Sequence, residues 1–196
     1  MSTVAVTSGL GALPSRFRRE RLLIVGYGDV GQRMARNLLT GPGAQRLRVL
    51  ALTSQAERVG SLRAQGVTSL VGNLDHAATL RRLSGLATRV VHLAPPPGEG
   101  GGGAAWWRDP RTVALARALR LRSLPVSLVY ASTSGVYGDC AGALVAETRT
   151  VAPGTPRAQR RVNAERAVRH LGRAGVRTSI LRIPGIYAPD REGGTP

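Results

Sequence analysis

The apolar run Leu22–Val25 leads into Gly26-Tyr27-Gly28-Asp29-Val30-Gly31 and then into the helix-forming Met34-Ala35-Arg36-Asn37-Leu38-Leu39. A strand, a glycine turn and a helix in this order build a site for the phosphates of a dinucleotide. Gly26 permits the tight turn, Gly28 lets the backbone approach a pyrophosphate, and Gly31 lets helix and strand pack closely. The helix N-terminus faces the anion, so Asp29 and Val30 belong to the same binding surface. The alternative is a merely flexible loop, and the strand before it and the amphipathic segment after it argue against that.

Such a turn needs a sheet to carry it, and the rest of the chain alternates between the two periodicities. Strands are expected at 47–53, 67–74, 88–94, 126–132 and 176–183, following the first at 21–25. Helices are expected at 57–65, 75–83 and 110–121, with a long one at 155–175 that ends in glycine. The segment Pro95–Trp107 is too rich in Pro and Gly to be regular, and 139–155 reads as a loop. Strands alternating with helices imply an α/β fold, a Rossmann-type doubly wound parallel sheet with helices on both faces. The expected organisation is a flexible extension at 1–20, a dinucleotide-binding domain at 21–189 and a tail at 190–196.

With 196 residues, 42% of them hydrophobic, the chain suffices for one well-buried domain. No apolar run approaches the roughly 20 residues of a membrane helix. The basic residues of the first 21 follow the apolar ones, the reverse of a secretory signal, so no membrane association and a cytoplasmic location are expected. The lone Cys140 excludes an internal disulfide and offers no metal cluster. The formal charge of +17 would ordinarily suggest nucleic acid. However, all 28 basic residues are arginine and they are spread over most helices. A solvated basic surface is expected instead, and nucleic acid is not an expected partner.

GYGDVG at 26–31, VVHLAPPP at 90–97, VYASTSGVYGD at 129–139 and LRIPGIYAP at 181–189 together resemble the extended short-chain dehydrogenases/reductases, specifically atypical members of the NAD-dependent epimerase/dehydratase family. The resemblance covers Arg21 to Pro189. It implies that the turn from His92 to Pro97, with Leu93 and Ala94, passes near the cofactor. It implies that Thr133 stands where the family keeps its catalytic Ser or Thr, with Ser132 and Ser134 as neighbours that a one-residue shift would substitute. There the hydroxyl would hydrogen-bond a substrate oxygen. Tyr137 would face the substrate pocket or pack beneath the loop, and Pro184 to Tyr187 would lie along the nicotinamide side.

Two departures bear on chemistry. The family's acid–base pair is a Tyr followed four residues later by a Lys. Alignment through NAERAV puts Arg157 at the Tyr position and Arg161 at the Lys position. An arginine stays protonated and cannot replace a phenolic acid–base, although Arg161 retains the capacity to contact the ribose or phosphates. The family also continues into a smaller substrate domain, which this sequence is expected to lack.

Cofactor choice follows from the end of the second strand. A carboxylate about 20 residues beyond the glycines would grip the ribose hydroxyls of NAD. Here Thr53, Ser54 and Gln55 stand there, with Arg58 beyond, a set that favours the 2′-phosphate of NADP and leaves NAD as the alternative. An ordinary exposed helix residue is the other reading of Arg58. After the third strand, Asn73 and Leu74 occupy the place where relatives approach the adenine, and Asp75 is a candidate helix cap. The expected function is an NAD(P)-binding oxidoreductase or epimerase acting on a small hydroxyl- or carbonyl-bearing metabolite of unknown identity. Its competitor is a non-catalytic dinucleotide-binding module. The resemblance also implies a homodimer through helices 110–121 and 157–172.

Overall fold

The computed structural model describes residues 20–98 and 105–190. Six strands form one parallel sheet: β1 (Glu20–Val25), β2 (Leu47–Thr53), β3 (Thr68–Val71), β4 (Arg89–His92), β5 (Ser127–Thr133) and β6 (Arg177–Ile183). Their order is β3-β2-β1-β4-β5-β6, so the direction of winding reverses between β1 and β4. In open α/β sheets a crevice forms at that switch point, beyond the carboxyl ends of the strands. The helices are α1 (Asp29–Thr40), α2 (Val59–Ala64), α3 (Pro110–Leu119) and α4 (Pro156–Arg173).

The period-2 alternation of the strands divides the core between the two faces of the sheet. Leu23 and Val25 of β1 join Leu50, Val90, Leu128 and Tyr130 against Leu115 and Leu119 of α3 and Val168 and Leu171 of α4. Leu22 and Ile24 turn the other way, with Val49, Ala51 and Val91, onto Ala35 of α1 and Leu62 of α2. Leu23, Ile24 and Val25 are wholly buried, as a central parallel strand requires. α3 and α4 begin with Pro in the first turn and a side-chain cap before it. Asp109 accepts from Arg111 N and Thr112 N, and Thr155 accepts from Ala158 N.

Several expected elements are shorter or differently wound. Glu20 opens β1 rather than closing the expected extension; residues 1–19 lie outside the described residues, as do 99–104 of the expected breaker and 191–196 of the expected tail. The expected helix at 57–65 begins as a 3-10 turn at Ala56–Arg58 before α2. β3 stops at Val71, because the Asn73 side chain accepts from Asp75 N (2.9 Å) and turns the chain out of the sheet. The segment expected as a helix at 75–83 is a 3-10 helix, Ala77–Leu83. Its wholly buried Leu80 and Leu83 are three residues apart, which matches three residues per turn. Thr79 reinforces the departure by bonding Asn73 and His76 carbonyls with its hydroxyl.

Candidate functional site

The glycine turn sits at the switch point, and each glycine there answers a different constraint. Gly26 has φ +95°, and a Cβ on it would collide with the backbone of Leu93 and Ala94. Those two residues continue from β4 and donate their amides to Val25 O at 2.7 and 3.0 Å, so the turns after β1 and β4 are in contact. A Cβ on Gly31 would stand 2.9 Å from Gly26 O and 3.3 Å from Ile24 Cγ2. A Cβ on Gly28, by contrast, would meet nothing within 4 Å. Nothing among the described residues requires glycine at 28, and the room beside it opens on a cleft of about 580 Å³. This is a cradle that a side chain would fill, and it fits a pyrophosphate. Gly28 also caps α1 without a side-chain hydrogen bond, unlike the caps of α3 and α4.

The cleft gathers most of the residues expected at a dinucleotide. Gly26, Gly28, Asp29, Val30, Gly31, Thr53, Arg58, Asn73, Leu74, Leu93 and Ala94 all line it. Arg161 and Pro184 do not; Pro184 lines a second cleft at the far edge of the sheet. At the end of β2, Thr53 is buried and its hydroxyl is held in its own turn by Gln55. Arg58 reaches back over the glycine turn and donates through Nη2 to Tyr27 O (3.1 Å), its one side-chain hydrogen bond among the described residues. Asp75 is not a helix cap: Arg111 Nε and Nη2 grip its two oxygens at 2.7 Å each. That grip, with burial opposing it, holds the Asp75 carboxyl below its ordinary range.

Opposite the cleft, β5 and α4 carry a buried polar network. Thr133 is half-buried and its Oγ1 accepts from Gly135 N (3.3 Å), capping the 3-10 turn Ser134–Tyr137. Tyr137 lines the second cleft with its ring packed on Val136 and Val162. Its hydroxyl accepts from Arg182 Nη1 (2.8 Å) and donates to Glu147 O (3.4 Å). Arg182 also grips both oxygens of the wholly buried Glu165, at 3.1 and 2.8 Å, and Ser132 Oγ donates to the same carboxylate at 2.7 Å. Burial pushes the Glu165 carboxyl up, but Arg182, Ser132 and Arg169 outweigh it and hold the group below its usual range.

The two arginines expected at acid–base positions part company. Arg157 is exposed, whereas Arg161 is buried and donates through Nη1 to Ala131 O (2.6 Å) and Tyr130 Oη (3.1 Å). Arg161 is therefore tied to β5 through Nη1, and it does not line the glycine cleft. Burial raises the Tyr130 phenol to about 12. Beside it, burial and the Arg161 charge hold the His92 imidazole down to about 3. Thr112 Oγ1 donates to Asp109 Oδ2 (2.5 Å), so the 2.9 Å contact from His92 Nε2 to Thr112 Oγ1 assigns the proton of the neutral ring to Nε2.

Arg111, Glu165 and Arg182 are site-forming residues that sequence reasoning did not single out, whereas His92 opens the turn expected to pass near the cofactor. Arg111 and Asp75 are 36 positions apart, and nothing local in either segment announces the pair.

With this geometry established, the comparisons are decisive on family. The profile of the NAD dependent epimerase/dehydratase family matches residues 22–196. The chain belongs to that family. Among solved structures, the UDP-glucuronic acid 4-epimerase of Bacillus cereus in complex with NAD has TM-score 0.69 and 21% identity, over 87% of this chain and 58% of that one. The dTDP-glucose 4,6-dehydratase of Streptomyces venezuelae, a double mutant solved with NAD, has TM-score 0.68 and 23% identity over 83% and 55%. A short-chain dehydrogenase/reductase superfamily protein of Agrobacterium tumefaciens with bound NAD has TM-score 0.66 and 23% identity over 83% and 48%. The chain thus spans about half the length of these structures, and they share its Rossmann-type fold. A search of curated proteins finds no match. No helix among the described residues is long and apolar enough to cross a membrane.

Proposed function

We propose that the glycine cleft binds a nicotinamide dinucleotide, NADP in preference to NAD, and serves oxidoreductase or epimerase chemistry on a small hydroxyl- or carbonyl-bearing metabolite. The observation that carries this reading is the open space beside Gly28, at a glycine turn on the switch point of the sheet. NAD bound in the family structures compared above supports the cofactor class. Preference for NADP rests on Thr53 standing where a carboxylate would select NAD, and on Arg58 with donors to spare beside it. When bound, the cofactor supplies the hydride acceptor or donor. Thr133 Oγ1 accepts from the backbone, which leaves its own proton for a substrate oxygen. Tyr137, fixed by Arg182, shapes the wall of the second cleft. In the same reading two copies pair through α3 and α4, where Leu121 is 58% exposed just beyond α3.

Titration with NADPH and with NADH tests the assignment. NADPH is expected to bind more tightly, and Gly28→Glu to abolish binding with the circular dichroism unchanged. Binding of neither, or tighter binding of NADH, overturns it.

A specific observation favours a second reading, a dinucleotide-binding module without turnover. Exposed Arg157 and strand-bound Arg161 leave the family's proton-exchange position without a titratable group. Turnover of any hydroxyl or carbonyl substrate that falls on Thr133→Ala decides against this second reading. NADPH binding with no turnover across such a panel decides for it.

A further inference from the structure

The two arginines that line the glycine cleft hold their guanidinium groups in opposite ways. Arg58 commits one nitrogen, to Tyr27 O, and keeps donors for an anion. Arg111 commits all three nitrogens of its guanidinium: Nε and Nη2 to the two Asp75 oxygens, and Nη1 to Pro95 O at 3.4 Å. Its charge is paired with a carboxylate and its plane is fixed between the turns after β3 and β4. Yet a quarter of the side chain, 26%, remains exposed at the cleft. A guanidinium held through all three nitrogens, with its charge already paired to a carboxylate, has less to offer an anion. What it offers a ligand is its flat face, and planar guanidinium groups stack on aromatic rings.

We propose that Arg111 is the stacking platform for the adenine base of the bound dinucleotide, with Asp75 as the residue that holds the platform in plane. This rests on the dinucleotide reading above. The lining of the cleft supports it: the glycine turn suits the pyrophosphate, Arg58 in the turn after β2 suits the ribose phosphate, and Arg111, bonded to Asp75 after β3, is left for the base. The two arginines then divide the adenosine half between them, one reading charge and the other reading a ring.

Calorimetric titration of the full chain with NADPH, NADH and inorganic pyrophosphate separates the roles. Arg111→Met is expected to weaken NADPH and NADH alike by about tenfold, in line with loss of one base-stacking contact, and to leave pyrophosphate binding unchanged. Arg58→Ala is expected to weaken NADPH alone. Arg111→Lys keeps the charge beside Asp75 but not the plane, and it is expected to behave as Arg111→Met does. Wild-type affinity in the Lys variant makes Arg111 an ionic brace and overturns the platform. So does an equal loss of pyrophosphate, or no loss in either variant. Failure of wild-type protein to bind either dinucleotide overturns the parent reading instead, before any variant is compared.

Discussion

Gly26, Gly28 and Gly31 are indistinguishable as letters, and the structure gives each a separate duty. Gly26→Ala forces a left-handed backbone onto a side chain and drives its Cβ into the Leu93–Ala94 backbone. We expect a loss on the order of 3 kcal/mol from strain and overpacking together. Gly28→Ala meets open space, so chemical denaturation should find stability within about 0.5 kcal/mol of wild type, while NADPH affinity falls at least tenfold by titration. If Gly28→Ala unfolds the protein, the space beside it has a structural purpose. Glu165 is the other residue whose environment sets its worth. It is wholly buried with Arg182, Arg169 and Ser132 on its two oxygens, so Glu165→Ala leaves Arg182 uncompensated. Urea denaturation should show a loss of about 3–5 kcal/mol, the usual penalty for orphaning one partner of a buried pair.

Element by element, the order of strands and helices was legible because it rests on local signals. The apolar runs of β1, β2 and β4, the Pro starts of α3 and α4, and the glycine after α4 all act within a few residues. The winding of 77–83 was not legible. A helical and a 3-10 reading of Leu80 and Leu83 differ only in which surface they must meet, and α3 supplies that surface. The glycine turn rests on the same local signals, whereas the contacts of Arg161 were not readable because its acceptors lie on β5, some 30 residues away. Asp109 joins the local and the distant. It caps α3, accepts from Thr112 and through it holds His92, while burial pushes its carboxyl above the ordinary range. Asp109→Asn keeps an acceptor and removes a charge that burial disfavours, so its melting temperature should match or exceed that of wild type. Asp109→Ala should cost about 1–2 kcal/mol for the cap. Equal losses in both variants would mean that the charge itself is needed.

For the molecule as a whole, acid is the expected weakness. His92 is neutral in the fold down to about 3, whereas the unfolded chain takes up that proton near 6.5. Between those values the unfolded state binds more protons, so stability falls as pH falls through the window. Glu165, with its lowered range, adds to the loss further down, and Asp109, with its raised range, opposes it. Urea midpoints measured from pH 7.5 to 5 should decline, and His92→Gln should flatten that decline; an unchanged slope in the variant assigns the acid sensitivity elsewhere. The reversal of winding between β1 and β4 has a consequence of another kind. It draws a seam through the sheet: the glycine turn, Thr53, Arg58 and Asn73 stand on one side, and Thr133, Tyr137, Arg161 and Glu165 on the other. The apolar core is shared across the seam, but the hydrogen bonds of Thr53, Arg58 and Asn73 stay on one side and those of Thr133, Tyr137, Arg161 and Glu165 on the other. A substitution along α4 can therefore alter that polar network without touching any residue that lines the glycine cleft.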